Sequence, residues 1–315
     1  MLYTKEHHQK MKAMENPANI KEMVRAKYAE IALQDKATNA SSCCGAGGCS
    51  TEVYNIMTDD YSKVEGYVPD ADLGLGCGLP TEFAGIKKGD TVLDLGSGAG
   101  NDCFIARAEV GEDGRVIGVD FTPEMIAKAK ENAAKLGFSN VEFRQGDIEK
   151  LPLTSNMVDV VVSNCVLNLV PDKRQAFLEI RRVLKPGGHF TISDVVLRGQ
   201  IPDRLKESAE MYAGCVSGAL QESEYLGIIH DLGFENVTIQ KRKPIIVPDD
   251  ILSRYLDREE IDAYKASAAG TFSITVTAQK PKVKEACCAP NAEGTAKVEL
   301  ATGEACGCGI DSACC

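Results

Sequence analysis

Three cysteines stand alone in this chain, each in a segment that could contribute to an active site. They are Cys77, Cys165 and Cys215, and they lie far apart among the 13 cysteines of the sequence. Thiolate sulfur is a soft ligand that suits soft metal and metalloid ions. Structural zinc sites usually draw on close cysteine pairs, which these three do not form. Three thiols converging on one soft, three-coordinate ion are therefore the favoured interpretation.

Burial is the alternative for each of these thiols, because a cysteine often packs as a small hydrophobe. We expect Cys103, inside a predicted helix, to be such a core residue. Cys165 follows a predicted strand and should lie at the carboxyl edge of a sheet, where ligands of open α/β sheets bind. The Gly-Leu-Gly-Cys-Gly segment around Cys77 is expected to be too flexible for the core. His189 and His230 are expected to be structural, which leaves no evident catalytic histidine.

The remaining cysteines are grouped at the two ends of the chain. Three follow a predicted N-terminal helix, and six lie in a tail rich in Ala, Gly and Glu that we expect to be disordered. Whether the tail collects soft ions or is a low-complexity extension stays open, because composition gives affinity without geometry. The N-terminal group is Cys43, Cys44 and Cys49; the tail group is Cys287, Cys288, Cys306, Cys308, Cys314 and Cys315.

Short apolar runs alternate with helical patterns in the middle of the chain. The run 91–95 is typical of a buried parallel strand, and similar runs begin near residues 116, 141, 158 and 189. Thr122 and Pro123 predict the start of one of the intervening helices. Strict alternation of strand and helix predicts a doubly wound, mostly parallel sheet.

The flanking regions follow simpler patterns. A helix is predicted over 18–36, from apolar residues at spacings of three and four. Later helices are predicted near 203–214, 222–232 and 248–266, with strands at 236–240 and 272–278. This later region is read as the end of the sheet plus a small α+β cap. The predicted division is therefore 1–50, 51–200, 201–282 and a tail over 283–315.

A glycine-rich loop, 94–100, joins the first strand to the following helix. Its glycines let the backbone approach a ligand at a helix N-terminus. Asp120 ends the second strand and can accept ribose hydroxyls. Asp147 and Ile148 follow the third, where they can meet an adenine amine and ring. NAD and S-adenosylmethionine both fit this plan, but Asn101 stands where a dinucleotide loop has its third glycine.

Bulk properties restrict the partners. The net charge is −11, which disfavours nucleic acid and anionic membranes as main partners. No apolar run approaches the roughly 20 residues of a membrane span, and the N-terminus does not resemble a signal peptide. We therefore expect a cytoplasmic protein, whose thiols stay mostly reduced.

Two sets of motifs carry a resemblance to known families. Asp94 at the start of the glycine loop and the Lys185-Pro186-Gly187-Gly188 turn resemble class I S-adenosylmethionine methyltransferases. The segments 73–80 and 163–169, the loop with its continuation to Phe104, and Cys215 are similar to arsenite S-adenosylmethionine methyltransferases over roughly 18–280. The fold implied is a Rossmann-like, doubly wound, mostly parallel sheet.

The resemblance implies that trivalent arsenic is methylated while bound by Cys77, Cys165 and Cys215. It also implies an N-terminal redox partner for Cys77, for which Cys44 is favoured over Cys43 and Cys49. Arsenite and methylarsenite are the expected substrates, and thioredoxin or glutathione the expected reductant. The cofactor-binding residues are expected to be Tyr67, Asp94, Gly96, Ser97, Gly98, Gly100, Asp120, Phe121, Met125, Asp147, Ile148 and Asn164.

Two other functions remain open from the residues alone. One is carbon methylation of a quinone or lipid precursor on the same fold, which predicts an apolar pocket without thiol dependence. The other is a non-enzymatic protein that sequesters metalloids, which predicts arsenite binding without S-adenosylmethionine binding.

Overall fold

The described residues form a seven-stranded sheet in this computed structural model. The description covers residues 17–33, 60–202, 219–246, 249–253, 256–267 and 269–282. The order across the sheet is β3-β2-β1-β4-β5-β7-β6. The first five strands pair in parallel, and β7 runs antiparallel between β5 and β6. The strands are β1 (Thr91–Leu95), β2 (Arg115–Asp120), β3 (Val141–Gln145), β4 (Val158–Asn164), β5 (Leu184–Arg198), β6 (Glu235–Ile245) and β7 (Gly270–Gln279).

Eight α-helices are described, in addition to short 3₁₀ turns. None of the helices in the described ranges is long and apolar enough to traverse a bilayer. The helices are α1 (Pro17–Ala32), α2 (Pro80–Phe83), α3 (Asn101–Val110), α4 (Pro123–Leu136), α5 (Lys173–Val183), α6 (Glu222–Asp231), α7 (Asp249–Leu252) and α8 (Arg258–Ala266).

The central strands are buried on both faces, which explains their nearly continuous apolar sequence. Successive residues of a strand point to opposite faces, so Val92 and Leu93 enter different core clusters. Val92 packs with residues of α3 and α4. Leu93 shares a cluster with Phe177 of α5 and Tyr225 of α6. Helices on both faces thus fix the sheet, and its carboxyl edge is free to carry a site.

The predicted doubly wound, mostly parallel sheet is confirmed, and several element boundaries differ. The fifth strand begins at Leu184, earlier than predicted. The segment around Gly187 (φ 80°) belongs to this strand, and the Gly187 N–H donates to Lys280 O. The helix predicted over 248–266 is two helices, α7 and α8, and α8 has its own N-terminal capping box from Asp257 and Glu260. Thr122 precedes α4 as predicted, but its side chain forms no capping bond. The helix predicted near 203–214 lies outside the described residues.

Candidate active site

The glycine loop bends tightly between β1 and α3. Gly96, Gly98 and Gly100 have φ values of 67°, 50° and 100°, a region that other residues enter at a cost. Space is restricted as well: a Cβ on Gly96 would lie 2.4 Å from Val166 Cγ2. The backbone can therefore follow this path only with glycine at position 96.

Three carboxylates surround this loop. Burial raises the pKa of Asp94 well above its ordinary value, and the neighbouring Asp102 adds to the rise. Burial also raises the pKa of Asp102 to about 6, although hydrogen bonds from Asn164 and Tyr61 oppose the shift. The pKa of Asp120 is raised by burial despite N–H bonds from Thr122 (2.8 Å) and Gly98 (3.0 Å). The loop is therefore surrounded by three buried carboxyl groups whose charged forms are poorly solvated, and a cationic ligand would stabilise those charged forms.

A cavity with about 1120 Å³ of empty space, including its open mouth, lies against this loop. Its walls combine carboxylates with apolar side chains. The walls include Lys21, Val24, Tyr28, Tyr61, Asp72, Leu73, Leu75, Asp94, Gly96, Ser97, Gly98, Asn101, Asp102, Asp120, Phe121, Met125, Asp147, Ile148, Asn164, Cys165, Val166 and Leu169.

Several buried polar atoms in these walls have no hydrogen-bond partner among the residues that the structure describes. They are Ser97 Oγ, Asn101 Oδ1 and Asp102 Oδ1. Buried polar groups are normally satisfied, so such atoms indicate a ligand. A cationic nucleoside fits the set, because the carboxylates match its positive charge and ribose hydroxyls while Ile148 and Met125 suit a flat ring. The cavity therefore has the polar and apolar groups that a nucleoside cofactor such as S-adenosylmethionine requires.

Cys77 and Cys165 come together beside this cavity. Both are buried thiols, and they pack in one cluster with Val195. Cys165 lines the cavity itself and has φ 59°, an uncommon conformation for a residue with a side chain. Its N–H bonds Ser193 O at 2.8 Å. The structure thus confirms the predicted position of Cys165 at the carboxyl edge of the sheet.

Cys77 is buried, which corrects the expectation that its segment is too flexible for the core. Only 1% of its surface is exposed. Its N–H donates to Asn164 Oδ1 at 3.0 Å, and its carbonyl accepts from Ser273 Oγ at 2.7 Å. Hydrogen bonds from β4 and β7 thus fix a glycine-rich segment that sequence alone suggests is mobile.

Asn164 links the thiol segment to the cofactor cavity. Besides accepting from Cys77, its Nδ2 lies 2.8 Å from Gly78 O and 3.2 Å from Asp102 Oδ2. It also contacts the hydroxyl of Tyr61, which lies 3.0 Å from Gly78 O. One amide at the end of β4 therefore holds both parts of the site in register.

A buried carboxyl, Asp194, precedes Val195, the residue that packs with the two thiols. Asp194 Oδ1 accepts the N–H groups of Asn168 (3.3 Å) and Val195 (3.0 Å). Burial raises the pKa of Asp194 to about 6, although the Lys173 charge opposes the shift. Burial also raises the pKa of Tyr225 well above its ordinary value, with contributions from Asp194, Cys77 and Cys165. The Tyr225 phenol is therefore within electrostatic range of the two thiols and of Asp194.

The structure places the other predicted residues with mixed results. Nearly all of the predicted cofactor residues line the cavity; two do not. Tyr67 lies outside the walls and contacts Asp72 at 3.0 Å, whereas Tyr61 is in them. Gly100 shapes the turn against Phe104 without reaching the cavity. The predicted residues in the walls are Asp94, Gly96, Ser97, Gly98, Asp120, Phe121, Met125, Asp147, Ile148, Asn164 and Cys165.

Cys103 is confirmed as a core residue, fully buried in α3, with its thiol 3.2 Å from Asp94 Oδ2. Cys44, its neighbours Cys43 and Cys49, and Cys215 lie outside the described residues, as does the cysteine-rich tail. Within the described ranges, no three or more His, Cys, Asp or Glu side chains are placed to hold a metal ion.

Sequence reasoning missed several residues of the site. Lys21 and Tyr28 come from the distant helix α1, and Asp102, the second residue of α3, was not among the predicted site residues. Tyr61 gave the only usable signal, since it is one of several tyrosines preceding Cys77. Tyr67 is nearer to Cys77 in sequence, but it is Tyr61 that lines the cavity and bonds Gly78 O at 3.0 Å.

Comparisons with known proteins agree with this geometry. Residues 86–238 match a family model described as a methyltransferase domain. An arsenite methyltransferase of Halobacterium salinarum is 43% identical over 86% of this chain and 69% of its own length. One of Aquipseudomonas alcaligenes is 34% identical over 75% of this chain and 68% of its own. The crystal structure of an arsenic(III) S-adenosylmethionine methyltransferase from Chlamydomonas reinhardtii superposes with a TM-score of 0.56 at 33% identity, over 73% of each chain.

Proposed function

The chain belongs to the arsenite methyltransferase family, and we propose that it methylates trivalent arsenic with S-adenosylmethionine as methyl donor. The arsenic would be held by the thiolates of Cys77, Cys165 and Cys215. One observation carries the proposal: Cys77 and Cys165 pack in one cluster, and Cys165 also lines the cavity that fits the cofactor. This packing supports substrate and cofactor sites that are adjacent.

The thiols act as ligands rather than as nucleophiles toward carbon. Each thiol that binds arsenite replaces one hydroxyl, and its proton leaves with that hydroxyl as water. Arsenic held by three sulfurs keeps a lone pair, which is the nucleophile of the reaction. Fixing it beside the cavity makes the encounter effectively unimolecular. No general base is needed for this step, in agreement with a cavity wall that contains no histidine among the described residues.

The cavity walls would hold the cofactor by charge and shape. Asp120 would accept ribose hydroxyls, Ile148 and Met125 would pack against adenine, and Asp94 and Asp102 would face the positive charges of the methionine part. When bound, S-adenosylmethionine supplies a methyl group activated by its positively charged sulfur. The acidic loop favours this cation over its neutral product, which helps exchange after each turnover.

The proposed reaction also requires a reductant. Methylation formally oxidises arsenic from the trivalent to the pentavalent state, so two electrons must be returned before the next transfer. Two protein thiols would supply them by forming a disulfide, and thioredoxin or glutathione would reopen it. Cys44 is the proposed partner of Cys77 in that disulfide.

Product analysis after incubation with arsenite, S-adenosylmethionine and a thiol reductant tests the function. Cys77→Ser, Cys165→Ser and Cys215→Ser should each abolish or strongly reduce methylated arsenic. Cys103→Ala is the matched control, because it removes a buried thiol from the core. Binding of S-adenosylmethionine by each variant would show that the fold is intact.

Full arsenite methylation by both Cys165→Ser and Cys215→Ser would overturn the three-thiolate model. Arsenite binding without any methylated product would indicate a sequestering protein instead. Thiol-independent methylation of a quinone precursor would indicate a carbon methyltransferase.

A further inference from the structure

Helix α1 forms one wall of the cofactor cavity. Lys21, Val24 and Tyr28 line it, and Ile31 continues the same stripe at spacings of three and four residues. Arg25, one turn after Lys21, is exposed and pairs with Glu22 on the surface. A helix distant in sequence from the glycine loop therefore closes the cavity with a single face.

The C-terminal end of α1 is anchored by packing. Ile31 and Ala32 are buried in a cluster with Leu73, Ala99 and Met125. The Lys128 ammonium donates to Ala32 O at 3.0 Å, which satisfies one of the last carbonyls of the helix. This end of the helix lies against the same loop and helix that hold the cofactor.

The other end of α1 is held by charge. Lys21 Nζ lies 2.7 Å from Asp147 Oδ2 and also bonds Glu149 Oε2. The side chains of Lys21 and Glu149 are 31% and 17% exposed, so the contact is partly shielded from solvent. Burial lowers the pKa of Lys21, but bonds to the two carboxylates outweigh it and the pKa is raised. The ammonium therefore stays charged at neutral pH.

Asp147 connects this ion pair to the cofactor. It lines the cavity and is the carboxylate expected to meet the adenine amine. Its Oδ1 already accepts the Glu149 N–H at 2.9 Å, and its Oδ2 accepts Lys21. Lys21 thus fixes the orientation of an adenine-binding carboxylate and, through the same bonds, the position of α1.

We propose that α1 is a lid on the cofactor cavity and that Lys21 is a positioning residue for it. Lys21 holds the lid closed through its bonds to Asp147 and Glu149. The strength of these bonds sets the rate at which the cofactor dissociates. The proposal rests on the proposed function only in taking the cavity as the S-adenosylmethionine site. Release of the cofactor or its product requires the Lys21 end of α1 to separate from the 147–149 loop. The packed end, at Ile31 and Ala32, acts as the pivot.

The test measures dissociation of S-adenosylhomocysteine from the full chain by stopped-flow displacement, without arsenic. Lys21→Met should speed dissociation about tenfold, equivalent to about 1.4 kcal/mol. Lys21→Arg should restore most of the wild-type rate, because a guanidinium can bridge both carboxylates. Arg25→Met is the matched control: it removes an exposed charge of the same helix that pairs with Glu22 and not with the 147–149 loop, so it should leave the rate within about twofold.

Steady-state kinetics give a second readout. Lys21→Met should raise KM for S-adenosylmethionine without lowering kcat, a split that general destabilisation would not produce. Wild-type dissociation should also accelerate with salt, since ion pairs are screened. An unchanged rate in Lys21→Met, or an equal effect of Arg25→Met, would overturn the proposal. Failure of the wild-type protein to bind the cofactor at all would instead refute the proposed function.

Discussion

Replacing Asn164 by aspartate tests how the two halves of the site are joined. The change keeps the shape of the side chain and the Oδ1 acceptor for the Cys77 N–H at 3.0 Å. It replaces the Nδ2 donor by an oxygen that faces Gly78 O at 2.8 Å and Asp102 Oδ2 at 3.2 Å. Two attractive contacts therefore become contacts between acceptors.

The magnitude follows from these two contacts. Each buried group left without its partner costs about 1–3 kcal/mol, which gives roughly 2–6 kcal/mol for the pair. Rotation of the Tyr61 hydroxyl toward the new oxygen recovers part of this, because that hydroxyl already contacts Asn164. We expect Asn164→Asp to lower the free energy of unfolding by about 3 kcal/mol.

The rate of arsenite methylation should fall by more than the loss of folded protein explains. Cys77 is held through the Asn164 amide, so its sulfur should lose its position relative to Cys165. Arsenite methylation should drop at least tenfold in kcat/KM for arsenite under conditions where the variant is fully folded. Chemical denaturation and product analysis measure the two effects separately.

Asn140→Asp is the matched control. The Asn140 Nδ2 donates to two carbonyls, Gly111 O at 2.9 Å and Gly114 O at 2.8 Å, and Asn140 is not among the residues that line the cavity. This variant should lose stability and keep its specific activity. Wild-type stability and rate in Asn164→Asp, or an equal loss of activity in Asn140→Asp, would refute the reasoning.

Three further outcomes are expected. Burial raises the pKa of Asp102 to about 6, so this carboxyl is neutral below that pH and anionic above it. The affinity for cationic S-adenosylmethionine should therefore rise between pH 5 and 7 in calorimetric titrations. In the Asp102→Asn variant, the affinity should change less over this pH range. Cys103→Ala removes a fully buried thiol that contacts Asp94, so it should cost about 1–2 kcal/mol in denaturant unfolding and leave arsenite affinity unchanged. Gly96→Ala forces a Cβ to 2.4 Å from Val166 Cγ2 at a residue with positive φ, so it should abolish S-adenosylmethionine binding in the same titrations. Retained binding would contradict the claim that the loop requires glycine at position 96.

The sequence predicts the parallel part of the fold well for a physical reason. Strands buried on both faces require continuous apolar runs, and the turns that follow require glycines or acids at fixed places. Asp120 and Cys165 could be placed at the edge of the sheet on that basis, and the structure confirms both positions. The glycine loop and the acids around it follow from local chain geometry alone.

Long-range contacts in the irregular segments were not predictable in this way. The burial of Cys77 depends on the Asn164 amide, 87 residues away, and on Ser273, 196 residues away. The Lys21 contact with Asp147 spans 126 residues. Neither pairing leaves a periodic pattern, so residue types alone suggested a flexible segment at Cys77 and gave no role to Lys21.

The surroundings of the two thiols bear on which ion they suit. Cys77 and Cys165 pack with Val195, and Leu197 and Ile245 pack against the same cluster. Three thiolates form a neutral complex with trivalent arsenic but an anionic one with divalent zinc. Tyr225 is influenced by both thiols and by Asp194, a carboxyl whose pKa burial raises to about 6, so a further buried negative charge would be costly there. Charge therefore favours trivalent arsenic over zinc at this position, independently of the preference of sulfur for soft ions.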